Sequence, residues 1–177
     1  MNLPNILTLI RVLLAPIFVI LIINKYFSWA LLTFAIAGIT DGLDGLIARL
    51  TRQRTELGAY LDPIADKLLT FAAFISLAII EMIPSWLVVI VITRDIIILV
   101  GFLVMFLTNY HPKINPSFLS KMTTTFQIIA ILFALLAGLF PVFKQFSTLA
   151  FYVTGVITVL SGIHYVYIGA RILNGKK

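Results

Sequence analysis

Six long apolar stretches fill the chain, separated by short polar or proline-bearing breaks. They run roughly Asn5 to Ile23, Trp29 to Arg49, Ala59 to Ile80, Ser85 to Leu107, Phe118 to Phe140 and Phe146 to Gly169. The breaks are Asn24-Lys25, the arginine-bearing connector after Arg49, Glu81-Met82-Ile83-Pro84, Thr108 to Pro116, and Pro141 to Gln145. Each stretch has the length of about 20 apolar residues that a helix needs to cross a bilayer. Composition supports that reading. The 177 residues are 61% hydrophobic and 11% charged, against about 25% charged in soluble domains, and mean hydropathy is +1.10. The pattern predicts an all-α integral membrane protein with six transmembrane helices. No gap resembles a linker, so residues 1–177 are expected to form one membrane domain. The first stretch opens on Asn2, Asn5, Thr8 and Arg11, too polar for a lipid-facing helix throughout, and predicts a short amino-terminal interfacial segment. No basic leader with a cleavage site is evident. Cysteine is absent, which excludes disulfides and thiolate metal sites.

Basic residues set the expected orientation. Arg49, Arg52, Arg54, Lys113, Lys121, Arg171, Lys176 and Lys177 fall on one side, and only Lys25 and Lys144 on the other. Both termini and the connector after Arg49 are therefore expected on the cytoplasmic side, in a bacterial inner membrane. The net charge of +6 suits anionic lipid and polyphosphate ligands alike. Nucleic acid is not expected as a partner.

The charged residues inside the stretches change the picture most. Of seven carboxylates, four lie at Asp41, Asp44, Asp62 and Asp66. Spacings of three and four place each pair on one helix face. If one helix ends near Arg49 and the next begins near Glu56, a rise of 1.5 Å per residue puts Asp44 roughly 7 Å and Asp41 roughly 12 Å below the first end, and Asp62 roughly 9 Å and Asp66 roughly 15 Å into the second. An antiparallel hairpin would bring the four together. A carboxylate within a span costs at least about 3 kcal/mol, so such a group calls for protonation or for cations. All-oxygen ligands suit magnesium or manganese rather than zinc, and paired metals handle phosphate esters.

Other polar positions fit around that centre. Gly45 and Gly58 allow close approach of a ligand or backbone, and Ala48 is small enough to share that role. Arg49 is placed for a pyrophosphate oxygen. Asn5, Thr8 and Arg11 would form a polar stripe toward the same cavity, with Arg11 snorkelling to the surface as the plainer alternative. Lys67 is rotated about 100° from Asp66 and is expected to support a neighbouring helix. Arg94-Asp95 is either a buried ion pair linking helices or, through Arg94, a seat for a second anionic substrate group. Lys121 either snorkels or, as the preferred reading, meets Arg94 across the cavity to hold a phosphate. His111 reads as a lone surface histidine, and His164 with Tyr165 and Tyr167 as an interface or helix-contact group.

The run Asp41-x₂-Asp44-Gly45-x₂-Ala48-Arg49-x₈-Gly58-x₃-Asp62-x₃-Asp66 resembles the full signature of the CDP-alcohol phosphotransferases. Pro4-Asn5-x₂-Thr8-x₂-Arg11 resembles the amino-terminal segment of members that make phosphatidylglycerophosphate or cardiolipin. The resemblance implies a six-helix membrane enzyme, a homodimer, using two divalent cations (Mg²⁺ or Mn²⁺). It implies that Asp41, Asp44 and Asp62 ligate metal, that Asp66 is the general base close to the second metal, and that Gly45, Ala48, Arg49 and Gly58, with Asn5 and Thr8, line the CDP site. The expected donor is CDP-diacylglycerol and the leaving group CMP. Glycerol 3-phosphate is the first expected acceptor, held by Arg94, Lys121 and Arg11. Against it, glycerophosphate-using members carry a second arginine about one helix-length after the fourth-span arginine, where this chain has Val100 to Val104. Arg94-Asp95 with Pro116 to Gln127 instead resembles the CDP-alcohol type of cardiolipin synthase, whose acceptor is phosphatidylglycerol. Membrane lipids are expected partners in either case. A divalent-cation transporter would also bury carboxylates, but the acids flank a basic hairpin, which favours a phosphate substrate.

Overall fold

In a computed structural model of the chain, the structure describes residues 3–51, 56–107 and 118–174, with side chains at 9–40, 67–101 and 118–171. Six α-helices account for nearly all of these residues, and no strand occurs among them. They are α1 (Leu3–Ile23), α2 (Phe27–Thr51), α3 (Glu56–Ile79), α4 (Ser85–Leu107), α5 (Phe118–Leu139) and α6 (Lys144–Asn174), with one 3₁₀ turn at Pro141–Phe143.

The apolar stretches predict these elements closely, and the departures have local causes. Pro141 opens the 3₁₀ turn, where its missing N–H costs least. The chain passes from that turn directly into α6, so Lys144 and Gln145 are helical rather than part of a break. At the other end Gly169 does not stop α6, which continues to Asn174; the residues after the glycine, Ala-Arg-Ile-Leu, are mostly good helix formers. α1 is unbroken from Leu3, with Pro16 inside it.

Two connections are tied by the same backbone device. Lys25 has φ 59° and Glu81 φ 61°, the left-handed conformation that closes a helix carboxyl end. The Tyr26 N–H donates to the Leu21 carbonyl at 2.9 Å and the Lys25 N–H to Ile22 at 2.9 Å. The Met82 N–H likewise reaches Leu77 at 2.9 Å and the Glu81 N–H reaches Ala78 at 3.0 Å. Terminal carbonyls of α1 and α3 are thus satisfied within tight turns.

α1 packs most extensively on α3, α5 on α6, and α1 on α2, with α4 lying along α6. Phe18, Ile22, Phe74, Leu77, Leu87, Ile131 and Leu135 are fully buried between them. Phe18 and Phe34 meet at 5.8 Å between ring centroids. Small residues bring α6 close to its neighbours. A Cβ on Gly155 would come within 2.7 Å of the Trp86 ring, so only glycine lets that indole lie against α6, where it stacks on Tyr152 at 5.6 Å. The outward faces are also apolar: Leu13, Trp29, Ile39, Ile79, Leu99 and Ile163 are all exposed. Among the described residues two helical stretches, Phe118–Leu139 and Pro141–Arg171, are long and apolar enough to cross a membrane. Apolar surface on both the inside and the outside of a bundle suits lipid as the surrounding solvent.

Candidate functional site

Asp41, Asp44, Gly45, Ala48 and Arg49 lie in the carboxyl-terminal part of α2, and Gly58, Asp62 and Asp66 in the first half of α3. The motif thus straddles the connection between two consecutive helices. The side chains of these residues, and those of Asn5 and Thr8 on α1, lie outside the described part of the structure, as do Arg52, Arg54 and His111. The donor set that the sequence supplies here is oxygen only, which fits a hard divalent cation.

What the structure shows in side-chain detail is the wall beside this motif. Lys67, the residue after Asp66, pairs with Asp95 of α4 at 2.5 Å. The lysine is partly exposed, while Asp95 is buried. Lys67 therefore supports a neighbouring helix, as its rotation from Asp66 predicts. Asp95 also accepts from Arg94 Nη1 at 2.7 Å. Arg94 Nη2 donates to Ser120 of α5 at 2.8 Å and to Ser161 of α6 at 3.0 Å. Its Nε donates to Ser161 at 3.3 Å, and its guanidinium lies 5.6 Å from the Tyr165 ring centroid. One arginine–aspartate pair thereby ties α3, α4, α5 and α6 together. Each charge is expensive to bury alone, and this geometry compensates most of that cost. The helix-linking reading of Arg94-Asp95 is realised. So is the helix-contact role of Tyr165, which also meets His164 edge-on at 6.4 Å.

Arg11 is 1% exposed. It is buried in the bundle on α1, and the snorkelling alternative does not hold. Lys121 is on the exposed side of α5. From that helix it is Ser120 that reaches Arg94, and Ser120 with Thr124 that line a cavity of about 580 Å³ against Lys67, Phe71, Arg94 and Asp95. The contact to Arg94 seen from α5 is thus a neutral one, from the residue before Lys121. Ser161 was not legible as a site residue. Its only signal is a Ser-Gly pair within an apolar helix. Gln127, quoted in the cardiolipin-synthase resemblance, is fully buried on α5 with both its amide oxygen and nitrogen unbonded.

Comparison with known proteins bears on this arrangement. Residues 1–163 match the family model for CDP-alcohol phosphatidyltransferase. The chain is 36% identical to the CDP-diacylglycerol–glycerol-3-phosphate 3-phosphatidyltransferase of Bacillus subtilis, covering 93% of each protein. It is 34% identical to the human cardiolipin synthase (CMP-forming), over 96% of this chain and 62% of that protein. It is 35% identical to a probable phosphatidylglycerophosphate synthase of Mycobacterium tuberculosis, over 98% and 84%. The chain therefore spans less than two thirds of the human enzyme's length but nearly all of the Bacillus one.

Proposed function

Because the chain belongs to the CDP-alcohol phosphatidyltransferase family, we propose that it makes phospholipid by transferring a phosphatidyl group from CDP-diacylglycerol to a glycerol-bearing acceptor, releasing CMP. The observation that carries the reading is the unbroken signature from Asp41 to Asp66, divided between two consecutive helices. Glycerol 3-phosphate, the acceptor that the sequence favours, is named in the Bacillus relative. Phosphatidylglycerol, the acceptor expected of a cardiolipin synthase, presents the same combination of a phosphate and a glycerol hydroxyl. The family match speaks against the cation-transporter alternative.

The chemistry follows from the residues. Asp41, Asp44, Asp62 and Asp66 would hold two divalent cations, magnesium or manganese, which neutralise pyrophosphate charge when bound. Arg49 adds hydrogen bonds to the same anion. Gly45, Ala48 and Gly58, with Asn5 and Thr8, leave room for and contact the nucleotide. The acceptor hydroxyl oxygen forms a bond to the phosphorus that bears diacylglycerol. Its proton passes to the Asp66 carboxylate as general base. The bond between that phosphorus and the bridging oxygen breaks, and CMP leaves with that oxygen. Arg94 and Arg11 hold the acceptor's phosphate, with Lys121 outside the cavity as an entry charge.

The six helices form one membrane domain over residues 1–177, with the start of α1 at the interface and the enzyme acting as a homodimer. The asymmetry of basic residues supports an active site facing the cytoplasm of a bacterial inner membrane.

The deciding experiment offers the purified protein CDP-diacylglycerol and magnesium with each acceptor, and measures CMP and the lipid formed. Asp66→Asn is expected to lower turnover by about 10²–10⁴-fold, the usual worth of a general base, while CDP binding persists by titration calorimetry. Wild-type turnover in that variant would remove Asp66 from its role.

A further inference from the structure

Two grooves between α4 and α6, of about 670 and 360 Å³, are walled almost wholly by apolar surface, and hydrocarbon satisfies them. Gln127 is a different case. It is fully buried on α5, and neither its amide oxygen nor its amide nitrogen has a hydrogen-bond partner among the described residues. Buried polar groups are nearly always bonded, and inside a membrane bundle no bulk water makes up the loss. The hydroxyls around it are engaged elsewhere. Thr123 donates to the Leu119 carbonyl at 2.9 Å, Thr124 to that of Ser120 at 3.2 Å, and Thr154 of α6 to that of Phe126 at 3.0 Å. An apolar side chain of the same length would fill the place without the cost of an unbonded amide. The amide therefore fits a group that the chain itself does not supply.

Its position says where that group comes from. Gln127 is seven residues after Ser120, two turns of α5 less about 20°, so both project on the same side of the helix. Ser120 and Thr124 line the 580 Å³ cavity among α3, α4 and α5. A helical side chain leans over the turn before its own, which for Gln127 is the turn of Thr123 and Thr124. Depth agrees with rotation. A Cβ on Gly138 would come within 2.9 Å of the Phe27 ring and 3.0 Å of Met82, so the α1–α2 and α3–α4 connections both press on the end of α5. Lys67 and Gln127 are each twelve residues from the last residue of their helix, Ile79 and Leu139, about 18 Å. Lys67 is in the cavity wall, and Gln127 lies level with it, beneath Thr124.

We infer that Gln127 is a specificity residue for the acceptor: its amide binds the secondary hydroxyl that stands beside the reacting primary one. This rests on the phosphatidyltransferase reading above and deepens it, because what is selected is a vicinal diol, whether a free phosphate ester or a lipid carries it. An amide offers an acceptor oxygen next to a donor nitrogen, the complement of a hydroxyl, which accepts on its oxygen and donates its proton. A phosphate oxygen would satisfy the nitrogen and set negative charge against the amide oxygen. An ammonium would satisfy the oxygen alone. The cavity meets charge elsewhere: Lys67 and Arg94 share the single carboxylate of Asp95, which leaves one positive charge in excess among these three. Phosphate and hydroxyl thus have separate seats. Glycerol 3-phosphate and the headgroup of phosphatidylglycerol both carry a primary hydroxyl with a secondary one beside it.

The test removes the hydroxyl and the amide in turn. The full chain in phosphatidylcholine vesicles, with CDP-diacylglycerol and magnesium, receives glycerol 3-phosphate or 3-hydroxypropyl phosphate, which keeps the primary hydroxyl and lacks the secondary one. Phosphatidylglycerol and its phosphatidyl-1,3-propanediol counterpart form the lipid pair. In wild type, loss of the hydroxyl should lower kcat/KM by about 10–100-fold in whichever pair turns over. Gln127→Met keeps the length and removes the amide. It should lower kcat/KM for the diol and bring the two members of the pair within about threefold of each other, with the KM for CDP-diacylglycerol unchanged. Without acceptor, its unfolding temperature in detergent should be no lower than that of wild type. A wild type that uses both members of a pair equally would overturn the inference, and that arm needs no variant to fold. Undiminished discrimination in Gln127→Met would overturn it too. A lower unfolding temperature in that variant would mean that water already bonds the amide, and would end its role toward the acceptor. CMP release with none of the four acceptors would overturn the transferase reading and the inference with it.

Discussion

The two flanks of α3 are held by different forces. Toward α1 the helix presents Leu69, Ala73, Phe74 and Leu77, all buried in the apolar core with Phe18 and Ile22. Toward α4 the packing is much thinner, and Lys67 reaches across to Asp95 instead. The helix that carries Asp62 and Asp66 is thus seated on one side by shape and tethered on the other by charge. Shape fixes a helix at any pH or salt. A charge tether leaves room beside it, and the cavity that Lys67 lines is on the tethered side. A bundle that needs a ligand space in its interior can open it where few side chains interdigitate.

The largest effect should come from cutting the tether at its centre. Asp95→Ala would leave the buried Arg94 without its carboxylate, a loss of about 3–5 kcal/mol for breaking a buried pair. Thermal unfolding in detergent reads it, and a variant as stable as wild type would mean the tether is dispensable. Leu77→Ala on the packed flank should cost less. In lipid the separated helix still keeps its leucine in an apolar solvent, so the loss is mostly that of the cavity left behind, about 2 kcal/mol. It should leave the KM for either substrate in place, whereas Asp95→Ala should raise the acceptor's. Equal KM changes in the two variants would erase the distinction between the flanks.

Much of this was legible in the sequence, because in a membrane helix polarity is costly and therefore informative. Asp41 to Asp66, Arg94 and Lys67 each stand out against apolar surroundings, and the rotation of Lys67 from Asp66 points it to a neighbouring helix. Helix ends were legible where a polar break coincided with them, as at Ile23 and Leu107. They were not at Lys144, where a polar lysine sits inside the first turn of α6. The arginine's partners were harder. Ser120 and Ser161 are ordinary in a membrane helix, where a hydroxyl commonly bonds its own backbone, as Thr123 and Thr158 do here. Nothing in one-dimensional spacing says that two serines 41 positions apart converge on one guanidinium. The grooves were invisible for a similar reason: they depend on how α4 and α6 lie together.

The smallest effect should come from a position that belongs to neither flank. Glu81 closes α3 with φ 61°, a conformation that costs a non-glycine residue roughly 1–2 kcal/mol. Glu81→Gly removes that strain, but it also gives the unfolded chain more freedom to lose. The net is a gain of about 0.5–1 kcal/mol, with the backbone bonds from Glu81 and Met82 to Ala78 and Leu77 retained. Turnover should be unchanged, since the residue touches neither the packed core of α3 nor its tether. The matching cap at Lys25 provides an internal check, because Lys25→Gly should give a gain of the same size at the end of α1. If both variants gain, the turns merely tolerate their side chains. A loss at Glu81 alone would show that its carboxylate holds something at that end of the bundle, and α3 would then have a third restraint besides its packing and its tether.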